Sequence, residues 1–234
     1  MRCNVDPDRD GQAECVLTSE RFYAQIEIES GALTYLFSRE PSGGVHQVIG
    51  PSSQIISGLS DPQTWRPGTG LAADPAVIPG AFGESGMGYE PVSTGNGVTF
   101  ISPNRKSQKA YTLQPDGLRL VYRAGQVKTL HIPLLLDPWR RFVPGWSARY
   151  HYGAQTGGWM AGVDGDGTRP VQVEIGSNTP VSGQAFTDAI PYTNRAENPN
   201  QDYPPGFYLP FPLVEVRLNT TPGQDTIVDI TIQH

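Results

Sequence analysis

Hydrophobic and polar positions alternate with a period of two along much of this chain. Phe22, Ala24, Ile26 and Ile28 alternate with Tyr23, Gln25, Glu27 and Glu29. That pattern predicts a strand with one wet face. Ser30-Gly31 turns the chain, and residues 32–37 return as a second strand. Residues 45–49 and 54–57 read as further short strands. Residues 108–114 and 118–124 flank Pro115-Asp116-Gly117, a strong turn signal. Residues 127–136 follow as another strand, in which Pro133 argues for a sheet edge or a bulge. Residues 171–175, 213–218 and 227–232 alternate in the same way. Residues 58–95 are dominated by Gly, Pro, Asp and Ser and predict a long irregular segment with function or hidden structure of its own. No amphipathic helix is found, and at most a short helical turn is expected near residues 138–142. Short strands without helices predict an all-β chain, an antiparallel β-sandwich in one domain. At typical strand lengths, about ten to fourteen strands fit.

Composition agrees with a turn-rich, folded chain. The 234 residues include 27 glycines and 22 prolines, and the charged fraction is only 17%. The net charge is −6, lysine occurs only at Lys106, Lys109 and Lys128, and no basic stripe exists, so nucleic acid is not an expected partner. No apolar run approaches the roughly twenty residues of a membrane span. The chain opens directly on Arg2-Cys3-Asn4-Val5-Asp6 without a secretory signal. The expectation is a segment of a larger extracellular or cell-surface protein, the alternative being a cytoplasmic chain.

One stretch changes the picture. In Asp6-Pro7-Asp8-Arg9-Asp10-Gly11-Gln12-Ala13-Glu14, carboxylates recur at every second position, then a glycine and a closing carboxylate follow. The pattern matches the first half of an EF-hand loop, with the closing acid arriving early. A hard cation takes six to eight oxygens at roughly 2.3–2.6 Å. Asp6, Asp8 and Asp10 offer side-chain oxygens, Gly11 allows the sharp bend, Gln12 offers its carbonyl, and Glu14 can close the site. An all-oxygen donor set points to Ca2+. The plainer reading is a solvated acidic turn before a strand. Cys3 and Cys15 bracket this loop. A loop wrapped round an ion brings its ends together, which favours a disulfide and an oxidising compartment; the alternative is two free thiols. Asp164-Gly165-Asp166-Gly167-Thr168 repeats the pattern weakly. With few ligands, it reads first as an Asp-Gly turn and second as a weak ion site.

Aromatic residues supply the other candidate chemistry. Trp139, Arg141 and Trp146 are followed by His151 and Trp159, and three of the four tryptophans fall between positions 139 and 159. Flat rings stack on the C–H faces of sugars while nearby Arg, Asp and Asn serve the hydroxyls, so this group is the candidate glycan surface. Ordinary core packing explains the same composition. A second group, Tyr192, Tyr203, Phe207, Tyr208 and Phe211, reads as an ordered loop over a sheet edge or a partner face. Catalysis has little support. His46, His131, His151 and His234 show no metal-binding spacing. Glu84, Glu90, Asp188 and Glu197 are loop carboxylates and candidates only by default.

Two stretches carry a resemblance. The acidic loop through Leu17, followed by Tyr23-Ala24-Gln25-Ile26-Glu27-Ile28-Glu29-Ser30-Gly31-Ala32-Leu33-Thr34-Tyr35-Leu36-Phe37, resembles the start of β-domains in large glycan-active enzymes. The hairpin Lys109 to Tyr122 is similar to hairpins of the galactose-mutarotase-like supersandwich. Such domains accompany α-glucan-processing glycoside hydrolases of the amylopullulanase and 4-α-glucanotransferase type. The resemblance covers about half of the chain. Its Gly-Gly is Ser30-Gly31 here, and nothing matches a mutarotase's catalytic His and Glu. The resemblance therefore implies the fold more than the activity. Integrin-type propellers use the same acidic loop, but they need several copies. The expected function is a non-catalytic, calcium-stabilised accessory domain that binds carbohydrate or docks on an adjacent catalytic domain. The alternatives are a stand-alone sugar epimerase or lyase, with its site on a concave sheet face, and a structural adhesion module.

Overall fold

The structure is a computed structural model that describes residues 1–7, 11–50, 81–84, 87–134, 136–137, 149–165, 168–186, 190–191, 208–209 and 213–234. Among these residues all regular structure is β, and every strand pairing is antiparallel. Strands β1 (Arg2–Val5), β2 (Glu14–Thr18), β3 (Phe22–Glu27), β4 (Leu33–Arg39) and β5 (Val45–Ile49) form a five-stranded meander in chain order. A second meander follows with β6 (Glu90–Thr94), β7 (Gly97–Ile101), β8 (Gln108–Gln114) and β9 (Gly117–Arg123). Next come β10 (Thr129–Leu134), β11 (Arg149–Gln155), β12 (Gly158–Gly165), β13 (Thr168–Ser177) and β14 (Val181–Phe186). The chain ends with β15 (Ile190–Pro191), β16 (Tyr208–Leu209), β17 (Leu213–Asn219) and β18 (Asp225–Gln233).

The largest sheet has eight strands in the order β11-β12-β13-β18-β9-β8-β7-β6. Strand β18 is its centre. It closes the gap between the hairpins on either side by pairing with β13 and β9. A three-stranded sheet runs β10-β17-β14, and β15 pairs with β16. Pro133 lies on β10, an edge strand of the three-stranded sheet, where its missing N–H costs no ladder bond.

Period-two patterning drives the packing. On β18, Thr226, Val228, Ile230 and Ile232 point inward and alternate with half-exposed residues. On β9, Leu118, Leu120 and Tyr122 are buried, while Arg119 and Arg123 reach outward to Asp229 and Asp225 of β18 at 2.7 and 2.8 Å. Those exposed pairs contribute about 1 kcal/mol or less each. Ala24, Ile26 and Leu36 of the five-stranded sheet, Phe100, Tyr111 and Leu120 of the large sheet, and Val216 of the small one join a single apolar cluster. The sheets thus bury their inner faces against a shared core, as a sandwich requires.

The eighteen strands among the described residues exceed the ten to fourteen expected. The surplus is short or glycine-rich: β1 has four residues, β15 and β16 two each, and β12 carries three glycines. Such pieces lack a legible alternation. Strand β6 falls inside the segment read as irregular. The expected strand at 54–57 and the helical turn near 138–142 lie outside the described residues, as does most of the second aromatic group. Among the described residues no helix is long and apolar enough to cross a membrane.

Candidate functional site

Among the described residues a dense buried polar cluster stands between the five-stranded sheet and the large sheet. Strand β8 reads Gln108-Lys109-Ala110-Tyr111, and its alternation turns Lys109 inward with Tyr111 and Leu113. Lys109 is 0% exposed. A buried ammonium must spend its three protons on acceptors. Its Nζ donates to the carbonyls of Ser30 at 2.9 Å and Phe82 at 2.6 Å, and pairs with Glu84 Oε2 at 3.2 Å. The same ammonium lies 4.8 Å from the Tyr89 ring centre and 5.5 Å from that of Tyr122, within cation–π range.

Glu84 is the counter-charge. Its Oε2 accepts from the Tyr89 hydroxyl at 2.5 Å and the Tyr122 hydroxyl at 2.7 Å, and its Oε1 faces Lys128 Nζ at 3.3 Å. Burial opposes its ionisation, but Lys109 and the two phenols outweigh burial and hold the carboxyl below its ordinary value. Burial pushes the Lys109 ammonium down to about 8, and the Glu84 carboxylate limits the fall. Burial first, and the Glu84 carboxylate second, push the Tyr89 and Tyr122 phenols far up, so both remain donors at neutral pH.

Backbone geometry explains how distant stretches meet here. Gly31 adopts φ +59°, and Lys109 and Tyr89 pack against the space a side chain would fill, 3.1 and 3.2 Å from an ideal Cβ. The Gly31 carbonyl accepts from Tyr111 Oη at 2.6 Å. Residues 81–84 are knit to several neighbours. Ala81 bridges Leu33, the Phe82 N–H donates to the His131 carbonyl at 2.9 Å, and the Glu84 N–H donates to Ser30 at 3.1 Å. The cluster therefore rivets the β3–β4 turn and residues 81–84 to β8 and β9. The Lys109 donors and both phenols are engaged within the cluster.

The sequence-predicted residues are distributed elsewhere. Gly11 adopts φ +87°, the bend expected of it, and its N–H donates to Asp6 Oδ2 at 3.2 Å. Asp6 and Gln12 are exposed, whereas Glu14 opens β2 and is 1% exposed. Glu14 stands directly opposite Glu27 of β3, which is itself buried. Asp8 and Asp10 lie outside the described residues. Cys3 and Cys15 are cross-strand partners of β1 and β2 and are joined by a disulfide, with Cα atoms 3.9 Å apart. The weak second acidic motif is the β12–β13 connection, where Gly165 pairs with Thr168.

Trp139, Arg141 and Trp146 lie outside the described residues. His151 and Trp159 occupy neighbouring strands but opposite faces. His151 is opposite Gly162 and its ring covers that glycine, while Trp159 is opposite Ala154. Trp159 shares the inward face with Ala161 and Val163, is half-buried, and lays its ring over Gly183 of β14. These two residues do not make one surface. Among the described residues a cavity of about 560 Å³ opens at the β2–β3 turn, lined by Thr18, Ser19, Arg21, Asn96 and Gln114 among others. None of the buried ionisable clusters lines it.

The pairing of Lys109 with Glu84 has no local sequence signal. Lys109 was visible in the phase of β8, but its charge concealed its burial. Glu84 was only one of several loop carboxylates. Of the others, Glu90 is exposed on β6, and Asp188 and Glu197 lie outside the described residues. A further cluster, Glu40, His46, Asp137 and His234, is assembled from distant stretches that no local spacing connects.

No protein-family model matches this sequence, and no curated protein matches it. Solved structures do. A 4-alpha-glucanotransferase from Thermococcus litoralis matches 98% of this chain at 13% identity, with a TM-score of 0.52; the chain spans 39% of that protein's length. A GalM/aldose epimerase homologue from C. elegans matches 96% of this chain and 99% of its own at 9% identity, with a TM-score of 0.43. At these identities the likeness concerns the fold. The chain shares its β-sandwich architecture with the stretch of the glucanotransferase that it covers.

Proposed function

We propose that this chain is a non-catalytic accessory domain of a larger, extracellular carbohydrate-active protein, and that it binds α-glucan. The observation that carries the reading is one of extent. Almost the whole chain, 98%, matches a 4-alpha-glucanotransferase structure, yet it spans only 39% of that protein. A unit of that kind sits beside other parts of an enzyme, and fold alone does not transmit activity. The rivet at Lys109 and Glu84 supports the same reading, because its strongly perturbed groups serve to join sheets.

The glycan surface is assigned to Trp139, Arg141 and Trp146. Trp159 packs toward β14 and belongs to the sandwich, so its role is support. Electrophoresis through gels containing glycogen tests this assignment. Retardation of the parent, lost in the Trp139→Ala/Trp146→Ala variant, is the expected result. Unchanged retardation in that variant removes the assignment, and retardation by no glycan leaves docking on a catalytic domain as the function.

Calcium belongs to the same proposal. The acidic loop from Asp6 to Glu14 takes Ca2+ and fastens the entry of the domain. Support comes from the Gly11 bend, from the disulfide across the loop, and from the buried Glu14 and Glu27 facing each other.

A further inference from the structure

Glu40, His46, Asp137 and His234 form a second cluster, with His46 and Asp137 buried and Glu40 and His234 partly so, independent of the loop and of the carbohydrate reading. Glu40 follows β4 in a tight turn, with its N–H donating to Gly44 at 2.8 Å and its carbonyl accepting from Gly43 at 3.0 Å. Its Oε2 accepts from the Ser42 hydroxyl, so Oε1 is turned toward His46 Nε2 at 2.6 Å. His46 lies on β5 and is 5% exposed. Its other nitrogen, Nδ1, meets Asp137 Oδ2 at 2.6 Å. Asp137 is 1% exposed, and its Oδ1 accepts from the Gln47 N–H at 2.8 Å. His234, next after β18, brings its ring centre to 5.1 Å from that of His46. Both ring nitrogens of His234 are buried, and among the described residues neither has a hydrogen-bond partner. One ligand atom from each of Glu40, His46 and His234 lies within 4.8 Å of the other two.

We propose that Glu40, His46 and His234 bind a divalent transition metal of the zinc type, with Asp137 as the positioning residue. Two imidazoles and one carboxylate are a recurrent zinc donor set that leaves a fourth position open. Asp137 completes the arrangement, because a ligating histidine characteristically donates its second N–H to a carboxylate, which fixes the ring and raises its basicity. An ionised carboxylate only accepts, so His46 Nδ1 donates to Asp137 and Nε2 is left to face Glu40. In the metal-free form the 2.6 Å contact between Nε2 and Glu40 Oε1 holds a proton between the two atoms. The ion displaces that proton to solvent and takes its place. On a tetrahedral ion with bonds of about 2.0–2.2 Å, neighbouring ligand atoms stand about 3.4 Å apart. Glu40 and His46 must therefore open slightly and His234 must close, both by side-chain rotation. Imidazole donors separate this site from the all-oxygen loop, which suits calcium.

The test is zinc titration of the chelator-treated, calcium-replete protein by calorimetry, with cobalt absorption as a second readout. The expected result is about one equivalent of zinc, and cobalt bands of tetrahedral intensity. His234→Ala and Glu40→Gln each weaken binding about 100-fold or more, and Asp137→Asn weakens it about 10–100-fold. Asp8→Ala leaves zinc binding unchanged. Circular dichroism verifies that each variant is folded. If His234→Ala fails to fold, the parent's cobalt spectrum decides, and weak octahedral bands overturn the proposal. No zinc uptake by the parent overturns it too, as does uptake insensitive to His234→Ala and Glu40→Gln or abolished by Asp8→Ala.

Discussion

Lys109 shows what a single residue contributes in this sandwich. An ammonium without exposure survives because two carbonyls, one carboxylate and two aromatic rings surround it. Removing one partner of such a pair leaves the other buried and uncompensated. Glu84→Gln is therefore expected to destabilise the fold by about 3–5 kcal/mol in urea unfolding. Combining it with Lys109→Met removes both charges and recovers much of that loss, so a double-mutant cycle gives a coupling well outside error. Acid should act through the same carboxylate. Its folded pKa lies below the ordinary 4.5, so the unfolded chain takes up the proton first as pH falls. The Glu84 contribution is complete above about pH 4.5 and fades as pH drops through the folded value. Urea midpoints followed from pH 7 to pH 3 should fall less steeply over that range in the Glu84→Gln, Lys109→Met variant than in the parent.

At the scale of elements, β1 is a four-residue edge strand tied to β2 by its ladder and by the Cys3–Cys15 disulfide. A bridge closing a loop this short stabilises by about 3 kcal/mol in the chain-entropy account. Reduction, or the Cys3→Ser/Cys15→Ser variant, should lower the melting temperature accordingly. The proposed calcium acts on the same segment. Saturating Ca2+ at a hundredfold excess over Kd adds about 2.7 kcal/mol, so chelator should lower the melting temperature and Asp8→Ala should erase that difference. Trp159→Ala should cost about 2 kcal/mol or more, by opening the contact with Gly183, and leave glycan binding intact. Several strands were legible in the sequence: the expected 45–49 and 108–114 coincide with β5 and β8, and β8 also shows the period-two burial of an alternating strand. Pro133 correctly announced an edge. Strands such as Arg2–Val5 and Gly158–Gly165 were not legible, because length or glycine content erases the period. The sites fared differently. The cysteine pair was readable from its placement round one loop. The clusters at Glu84 and His46 depend on contacts between residues far apart in the chain, which no window of sequence contains.

At the scale of the molecule, the five-, eight- and three-stranded sheets share one apolar core, and polar rivets stand where their turns meet. The same β-sandwich architecture occurs in the stretch of a 4-alpha-glucanotransferase that this chain covers, 39% of that protein's length, and it is the frame on which the proposed glycan surface stands. The most direct test of the central claim is calorimetric titration of the calcium-loaded protein with maltoheptaose, followed by chromatography of the sugar recovered from the cell. Saturable binding and recovery of unaltered maltoheptaose are the expected result. Absence of binding, or the appearance of shortened, lengthened or epimerised products, contradicts it.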